Sequence, residues 1–511
     1  IFPREIMNEY DAIIIGAGLG GLTAGAKLAK SGKKVLLVEQ HYLPGGCATV
    51  FKRKDYIMEV GLHEMDGLHA DDPKIEIFDD LKIFENVEFL KVPEFYRFTN
   101  ERVDLVLPNH TEQATEQLLK KFPAEEKAIH AFFKRMHAIQ KEVMKMAKEK
   151  WKIILLYPNS MLLYNGKQNL GDFLDSITNN EDLKLALIGN LQYYHDNPYT
   201  LSLVYFCTAQ ASYLNGGGHF IKGGSQKLSD YLSSVITNNG GAVLLSHLVT
   251  RILVKDNAAV GIEFQKTNRK NSELKQAHAS VIIANAAIPL VVDLLPTENQ
   301  PILKKKVDKL EVSASLLSVY MGFKKEVKSL GNTNYATLVF DPEVKNLKDM
   351  IRSNKGPFDK RNFVFVDYSQ IDSCLAPKGK SFGVICTVDY ITDWENVSKE
   401  EYKAKKEEIA QMFFKKLEKL IPGIVNEIDY YEVATCKTIT RYTLNPQGSV
   451  YGFAQTPKQS GIYRQSYKSP INNLFFASAW ASPGGGFSGA ILSGWNCAQE
   501  ILKQNSEPKQ G

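Results

Sequence analysis

A strand, a glycine-rich turn, a helix and a second strand ending in an acid follow one another within residues 10–40, and few arrangements restrict a fold so tightly. Ala12, Ile13, Ile14 and Ile15 form the short apolar run of a strand buried in a parallel sheet. Gly16-Ala17-Gly18-Leu19-Gly20-Gly21 comes next, with glycines at all three positions of GxGxxG. Leu22, Ala24, Ala26, Leu28 and Ala29 read as a helix with one small face, ended by Ser31-Gly32. Lys33 to Val38 is a second predicted strand with Glu39 at its tip. In such a unit Gly16 allows the tight turn, Gly18 lets a pyrophosphate approach the backbone, and Gly21 lets the helix pack on the strand. The helix N-terminus offers N–H groups and a positive dipole end to phosphates. Glu39 stands 18 positions after Gly21, where a carboxylate takes ribose hydroxyls and repels a 2′-phosphate. The expectation is an α/β, doubly wound Rossmann-type dinucleotide-binding domain.

At 511 residues the chain has room for that domain and at least one more. A content of 44% hydrophobic and 23% charged residues excludes global disorder, and a net charge of +5 is too thin to point to nucleic acid. Cys47, Cys207, Cys374, Cys386, Cys436 and Cys497 form no CxxC pair and have no histidine at metal-ligand spacing, so they read as free thiols in a reducing compartment, and no metal site is expected. No run reaches the ~18 apolar residues of a membrane span, and the N-terminus lacks a secretory h-region. The expected location is cytoplasmic, with peripheral membrane contact open. A single dinucleotide fingerprint argues against a separate NAD(P) domain.

Three further segments bear on the cofactor. Tyr42-Leu43-Pro44-Gly45-Gly46-Cys47-Ala48-Thr49 follows Glu39 closely, and its double glycine permits a second close approach of backbone to ligand. Gly216-Gly217-Gly218 to Gly223-Gly224-Ser225 leads into a predicted helix through Leu228, Leu232, Val235 and Ile236, then strands near 242–245 and 249–254, and a buried strand 280–284 capped by Asn285-Ala286-Ala287. Asn473 to Trp480 leads into Pro483-Gly484-Gly485-Gly486-Phe487-Ser488-Gly489 and a final predicted helix, 490–502. A glycine run opening a helix has the shape of an anion or flavin-edge site.

Together these segments resemble the phytoene/carotenoid desaturase, carotenoid isomerase and retinol saturase group of FAD-dependent oxidoreductases in the flavin amine oxidase superfamily. The resemblance covers nearly the whole chain, densely in the cofactor segments and thinly between them. It implies FAD as cofactor. Carried onto this sequence, the binding residues are Gly16, Gly18, Leu19, Gly20, Gly21, Glu39, Gln40, Gly45, Gly46, Cys47, Ala48, Thr49, Gly61, Leu62, Val249 (toward adenine), Asn285, Ala286, Trp480, Gly485, Gly486, Phe487, Ser488, Gly489 and Ala490. It also implies a discontinuous organisation: 7–95, 215–295 and 435–505 for FAD, and 96–214 with 296–434 as a mixed-sheet α+β substrate domain. The chain departs from the desaturase pattern. Where desaturases carry Asp-x-Gly-Pro-Ser after the double glycine, it reads Glu59-Val60-Gly61-Leu62-His63-Glu64, closer to the saturase and isomerase branch. Ser478-Ala479-Trp480 replaces the usual Gly-Ala or Gly-Asp ending of the C-terminal strand.

No nucleophile elbow or zinc motif appears, so the hard chemistry falls to the flavin. A conjugated chain suits it, because a polyene delocalises the charge that hydride transfer develops. His63 is the first candidate for a protein group near the ring, able to exchange a proton near neutral pH, and Glu64 the second. Tyr193, Tyr194, His195, Tyr205, Phe206 and Tyr213 are candidates to line an apolar tunnel or simply to fill core. Strands are expected at 313–323, 363–368 and 381–389, and a helix at 399–420. A basic amphipathic helix from Glu125 to Trp151 with apolar, tyrosine-bearing sequence to Tyr164 serves either an interfacial membrane contact, 125–164, or a core helix with a solvated basic face. The leading reading is saturation, isomerisation or desaturation of a lipophilic polyene. An amine-oxidase-type enzyme and a polyene-binding flavoprotein without turnover are the alternatives.

Overall fold

The computed structural model describes residues 6–149, 162, 165–267 and 273–506. Two seven-stranded sheets organise a mixed α/β fold. In the first, the strands run in the order Ala242–Leu244, Val35–Val38, Ile6–Ile15, Lys275–Ala284, Ala258–Lys266, His247–Lys255, and Leu474–Phe476 adds to Lys275–Ala284. The strands around Ile6–Ile15 pair in parallel, with Ile14 opposite both Leu37 and Ile283, and Ile283 opposite Phe475. Buried on both faces, they read as unbroken apolar runs.

The second sheet is antiparallel apart from one parallel pair, in the order Ile428–Ala434, Ser315–Phe323, Ser381–Asp389, Phe363–Asp367, Ala336–Val339, Tyr96–Thr99, Asp104–Leu107. The helix Lys399–Leu420 covers it. Ser398 and Glu401 close a capping box at its start, Ile409, Phe413, Phe414 and Leu417 bury its inner face, and Pro422 follows its end. Local signals fixed these bounds, and they agree with the expected ones.

One expectation changes. The final helix begins at Gly486 instead of Ala490, because Gly486 to Gly489 form its first turn while Gly489 packs on the Gly484 carbonyl, where a Cβ would lie 2.2 Å from the oxygen. Glycine read as a breaker hid that turn. Around Gly216 to Ser225, Leu203–Gly216 is a helix, Gly218–Ile221 joins Met65–Asp66 and Phe89–Lys91 in a small sheet, and Gln226–Asn238 follows as the expected helix.

The first helix, Leu19–Lys30, crosses the last, Gly486–Ser506, backbone against backbone. A Cβ on Gly494 would stand 2.1 Å from the Gly20 carbonyl oxygen. The first helix cannot retreat, since Gly20 is pressed on the Ala477 carbonyl and Gly21 on that of Gly16. Gly494→Ala therefore forces the pair apart. We expect a loss of about 1–3 kcal/mol in denaturant unfolding, with weaker FAD retention, because the displaced helix carries the glycine turn.

Candidate active site

The first glycine turn is built as the motif requires, with a partner the sequence did not reveal. The N-terminus of Leu19–Lys30 has Gly18 as its cap, with no side chain of its own to cap the helix and no acid in its first turn, so apart from the Gly21 N–H, which Asn285 takes, its positive dipole end is left for a ligand. Gly18 pairs with Gly45, and the Gly45 N–H donates to the Ala17 carbonyl at 2.7 Å, which sets the two glycine turns side by side. Asn285 then locks the loop. Its Oδ1 accepts the Gly21 N–H at 3.0 Å, and its Nδ2 would lie 2.7 Å from a Cβ on Gly18. Gly18 is thus required by a protein side chain as well as by any ligand. Ala286 and Gly16 meet behind it.

Glu39 is almost buried. Its Oε2 accepts the Ala17 N–H at 2.7 Å and its Oε1 the His41 N–H at 2.8 Å. Burial pushes its pKa up and these backbone bonds oppose the rise. Each oxygen keeps a lone pair for a sugar hydroxyl. Val249 lies in the adjoining core, on a strand whose first residue, His247, donates its N–H to the Glu39 carbonyl. Gln40 reaches to the Tyr442 carbonyl.

An interior void continues from the paired turns. Cys47, His63, Asp66, Tyr193, Tyr205 and Tyr451 are surrounded by protein yet keep accessible surface, as do Gly46, Gly61, Gly486, Phe487 and Ser488. A Cβ on Gly486 would meet nothing within 4 Å. The last helix closes the void through Ser488, whose hydroxyl donates to Asp66 at 2.5 Å, and Asp66 faces the buried Lys74 at 3.5 Å. Gly485 carries φ +77° against the Tyr205 hydroxyl, and Ala490 continues the helix. These residues fit FAD: a helix N-terminus with N–H groups left for the pyrophosphate, an acceptor for the ribose, and enclosed accessible surface beyond.

Other expected contacts are engaged within the protein. Trp480 belongs to the core, edge-on to Phe453 with its Nε1 on Asn445, so its ring does not face the void. Thr49 bonds Gln226, the Ala48 carbonyl takes the Ser229 hydroxyl, and Leu19 is buried. Burial raises the Cys47 thiol to about 11, leaving it protonated and unreactive at neutral pH. The N-terminus of helix Gln226–Asn238 is filled by the protein itself. Glu59 accepts from the Ser225 N–H and hydroxyl, both at 2.7 Å, and from the N–H groups of Gly61 and Leu62. That glycine segment therefore supplies no free anion site.

The irregular stretch 60–64 is held by a cage of tyrosines. The hydroxyl of Tyr320 donates to the Val60 carbonyl at 2.9 Å, Tyr368 to Leu62 at 2.7 Å, Tyr335 to His63 at 2.5 Å and Tyr213 to Glu64 at 3.3 Å. Tyr193 lies 3.3 Å from His63 Nδ1. Only Tyr193 and Tyr213 were candidates from sequence; Tyr320 comes from a strand of the second sheet, and Tyr335 and Tyr368 from the ends of two others. Inside the cage burial dominates titration. It lowers His63 to about 4, so this residue is neutral and does not exchange protons near neutral pH as expected. It raises Glu64 to about 8, Glu94 adding to the rise and Tyr193 opposing it, so Glu64 keeps its proton. Of the two, Glu64 is the one that carries a proton at neutral pH.

The helix Glu126–Glu149 turns Ile129, Phe132, Phe133, Met136 and Ile139 into the core and Lys127, Lys134 and Lys141 outward, while Arg135 packs over Phe173, which favours the core-helix alternative for this part. Residues 150–161, 163 and 164 of the expected membrane-contact segment lie outside the described residues. Among the described residues no helix is long and apolar enough to cross a membrane, and no group of three or more metal-ligating side chains appears.

The model of the family described as flavin containing amine oxidoreductase matches residues 19–502. All-trans-retinol 13,14-reductase of Danio rerio is 27% identical over 549 residues, covering 98% of this chain and 87% of that one. Prolycopene isomerase 1 of an Oncidium hybrid cultivar, a chloroplastic protein, is 26% identical over 521 residues, covering 97% and 84%. The crystal structure of an oxidoreductase from Methanosarcina mazei superposes with TM-score 0.64 at 18% identity over 96% of this chain and all of that one, a likeness of fold.

Two predictions follow from the geometry. Glu39→Gln leaves one backbone N–H without its charged acceptor, and FAD titration of the apoprotein should show affinity lower by roughly tenfold to a hundredfold. Glu64 ties stability to pH. The unfolded chain releases this proton near 4.5 and the folded chain only near 8, so stability falls as pH rises between those values. Glu64→Gln should raise the melting temperature by a few degrees above pH ~8 and leave it nearly unchanged at pH ~5, as scanning calorimetry will show.

Proposed function

The chain belongs to the flavin-containing amine oxidoreductase family, with FAD as its cofactor, and from that premise we propose that it acts on carbon–carbon double bonds of a lipophilic, retinoid- or carotenoid-like polyene, by saturation or isomerisation in preference to desaturation. One observation carries this reading: the cage beside the void is lined by tyrosine hydroxyls already bonded to backbone, and its two titratable groups, His63 and Glu64, are both uncharged at neutral pH. An apolar chain loses nothing by entering such a space. An ammonium would be stripped of water with no free carboxylate to receive it, since Asp66, the ionised acid on the void, is already engaged by Lys74 and Ser488, which weighs against an amine substrate.

Bound FAD supplies hydride transfer. The protein supplies position and a proton. The glycine turns and Glu39 would hold the nucleotide end, and the turn at Gly485 and Gly486 with Phe487 and Ser488 would enclose the other end. Glu64 acts as a buried proton reservoir. Tyr193 adjoins Glu64, keeps accessible surface and has its hydroxyl 3.3 Å from His63 Nδ1, and it is the group we assign to pass the proton that completes saturation or triggers isomerisation. This division supports assigning 7–95, 215–295 and 435–505 to FAD and 96–214 with 296–434 to the substrate. Peripheral membrane contact is supported by the outward basic residues of Glu126–Glu149 and by the apolar sequence that follows.

The test is product mass. FAD-loaded protein is mixed with retinol, prolycopene and putrescine, with reductant and without, and products are read by chromatography with mass spectrometry. We expect either a gain of two hydrogens or an unchanged mass with shifted retention from a polyene, and nothing from the amine. Turnover of putrescine alone overturns the reading, and polyene binding without any product assigns the protein as a carrier. Glu64→Gln and Tyr193→Phe should each slow polyene turnover by about a hundredfold with FAD content unchanged. The wild-type rate should fall above pH ~8, with that limb absent from Glu64→Gln.

A further inference from the structure

Four basic side chains are buried among the described residues, and three of them face an acid. Lys74 stands 2.8 Å from Asp72, Lys184 2.6 Å from Asp175 and Arg361 2.9 Å from Asp393. Arg464, the fourth, is 5% exposed and bonds only to backbone. Its Nη1 donates to the Phe453 carbonyl at 2.6 Å and its Nη2 to the Ala479 carbonyl at 2.7 Å, and its Nε is buried with no hydrogen-bond partner among the described residues. Burial pushes its pKa down to about 10 and the Tyr205 hydroxyl opposes the fall, so the guanidinium stays charged at neutral pH. Tyr205 cancels none of that charge, because burial raises its own pKa to about 12 and leaves a neutral phenol. Asp66, the ionised acid on the void, faces Lys74 instead.

The guanidinium lies against the back of the C-terminal glycine turn. A Cβ on Gly484, whose φ is +82°, would stand 2.5 to 2.6 Å from its Nη2, Cζ and Nε. Gly485 is pressed on the Tyr205 hydroxyl, and Gly486 opens on the void, where a Cβ would meet nothing within 4 Å. The turn itself is therefore what separates the charge from the void. The helix Gly486–Ser506 starts at the same place with no acid in its first turn, so its positive dipole end adds to the field of Arg464. Two backbone carbonyls could be served by any neutral donor. A buried cation without a counter-charge is destabilising until an anion comes to share its surroundings.

We propose that Arg464 sets the reduction potential of bound FAD: acting across the glycine turn, its charge stabilises the negative charge that a flavin ring gains on taking up two electrons and one proton. The anion it answers is the reduced ring and not the pyrophosphate, for which the N-terminus of Leu19–Lys30 is left. This rests on the placement of FAD given above, with its ring end at Gly485 and Gly486, and not on the identity of the substrate.

Midpoint potentials are measured on FAD-loaded full-length protein by reductive titration against an indicator dye, beside free FAD in the same neutral buffer, and the dissociation constant of oxidised FAD is measured in parallel. Wild type should lie above free FAD. Arg464→Gln keeps N–H donors for the carbonyls and removes the charge, and it should weaken reduction about tenfold to a hundredfold, a fall of ~30–60 mV. Arg464→Lys keeps the charge and should stay within about threefold of wild type. Affinity for oxidised FAD should change little in either variant. An Arg464→Gln potential equal to that of wild type, or an Arg464→Lys potential that falls as far, overturns the proposal. So does a loss of oxidised-FAD affinity with the potential unmoved, which assigns the charge to the pyrophosphate. If neither variant folds, the wild-type value decides, and a potential at or below that of free FAD overturns the proposal. No substrate enters these measurements, so each of these outcomes leaves the polyene reading standing, and that reading fails only in the product assay above.

Discussion

Irregular backbone that runs through a protein interior must find a donor for every carbonyl it buries. The stretch 60–64 leaves the strand Tyr56–Glu59 and crosses between the two sheets without secondary structure of its own. Tyrosine hydroxyls from both sides satisfy four of its carbonyls. That arrangement has two effects at once. It anchors the segment carrying His63 and Glu64, and it surrounds both side chains with phenol rings in place of water. The unusual titration of the pair and the apolar character of the space both derive from this one solution to a backbone problem.

Much of the nucleotide end was legible in the sequence because its requirements are local. A β-branched run, three glycines at fixed spacing and a terminal acid lie within residues 10–40, and each constrains its neighbour. Helix Lys399–Leu420 was legible for the same reason: cap, periodic apolar face and a proline after it. The cage was not. Tyr320, Tyr335 and Tyr368 reach the site from strands more than 250 residues away in sequence, and nothing around them distinguishes them from core tyrosines. Nor could sequence separate His63 from Glu64. An isolated histidine titrates near neutrality and an isolated glutamate does not, and burial exchanges those properties.

Asn285 and Glu59 make a related point about polar residues that end strands. Asn285 was expected to cap its strand and touch the ligand, and it also clamps the first glycine turn. Glu59 had the look of an acidic variant of a family motif. Its work is to occupy the start of a helix that would otherwise attract an anion away from the site. Burial raises its pKa to about 7 against four hydrogen bonds, so this carboxylate sits near the point of losing its charge at physiological pH.

The order of strands in the first sheet bears on how the chain is made. Leu474–Phe476 docks on Lys275–Ala284, and the helix that seals Gly20 is the last long element of the chain. During synthesis the strand at 275–284 must wait with part of one edge open while nearly two hundred residues, including most of the second sheet, emerge. An exposed parallel edge of this length is a template for wrong pairing. The protein therefore depends on whatever shields that edge until the terminus leaves the ribosome, and a chain stopped short of residue 474 would be held in its most aggregation-prone form.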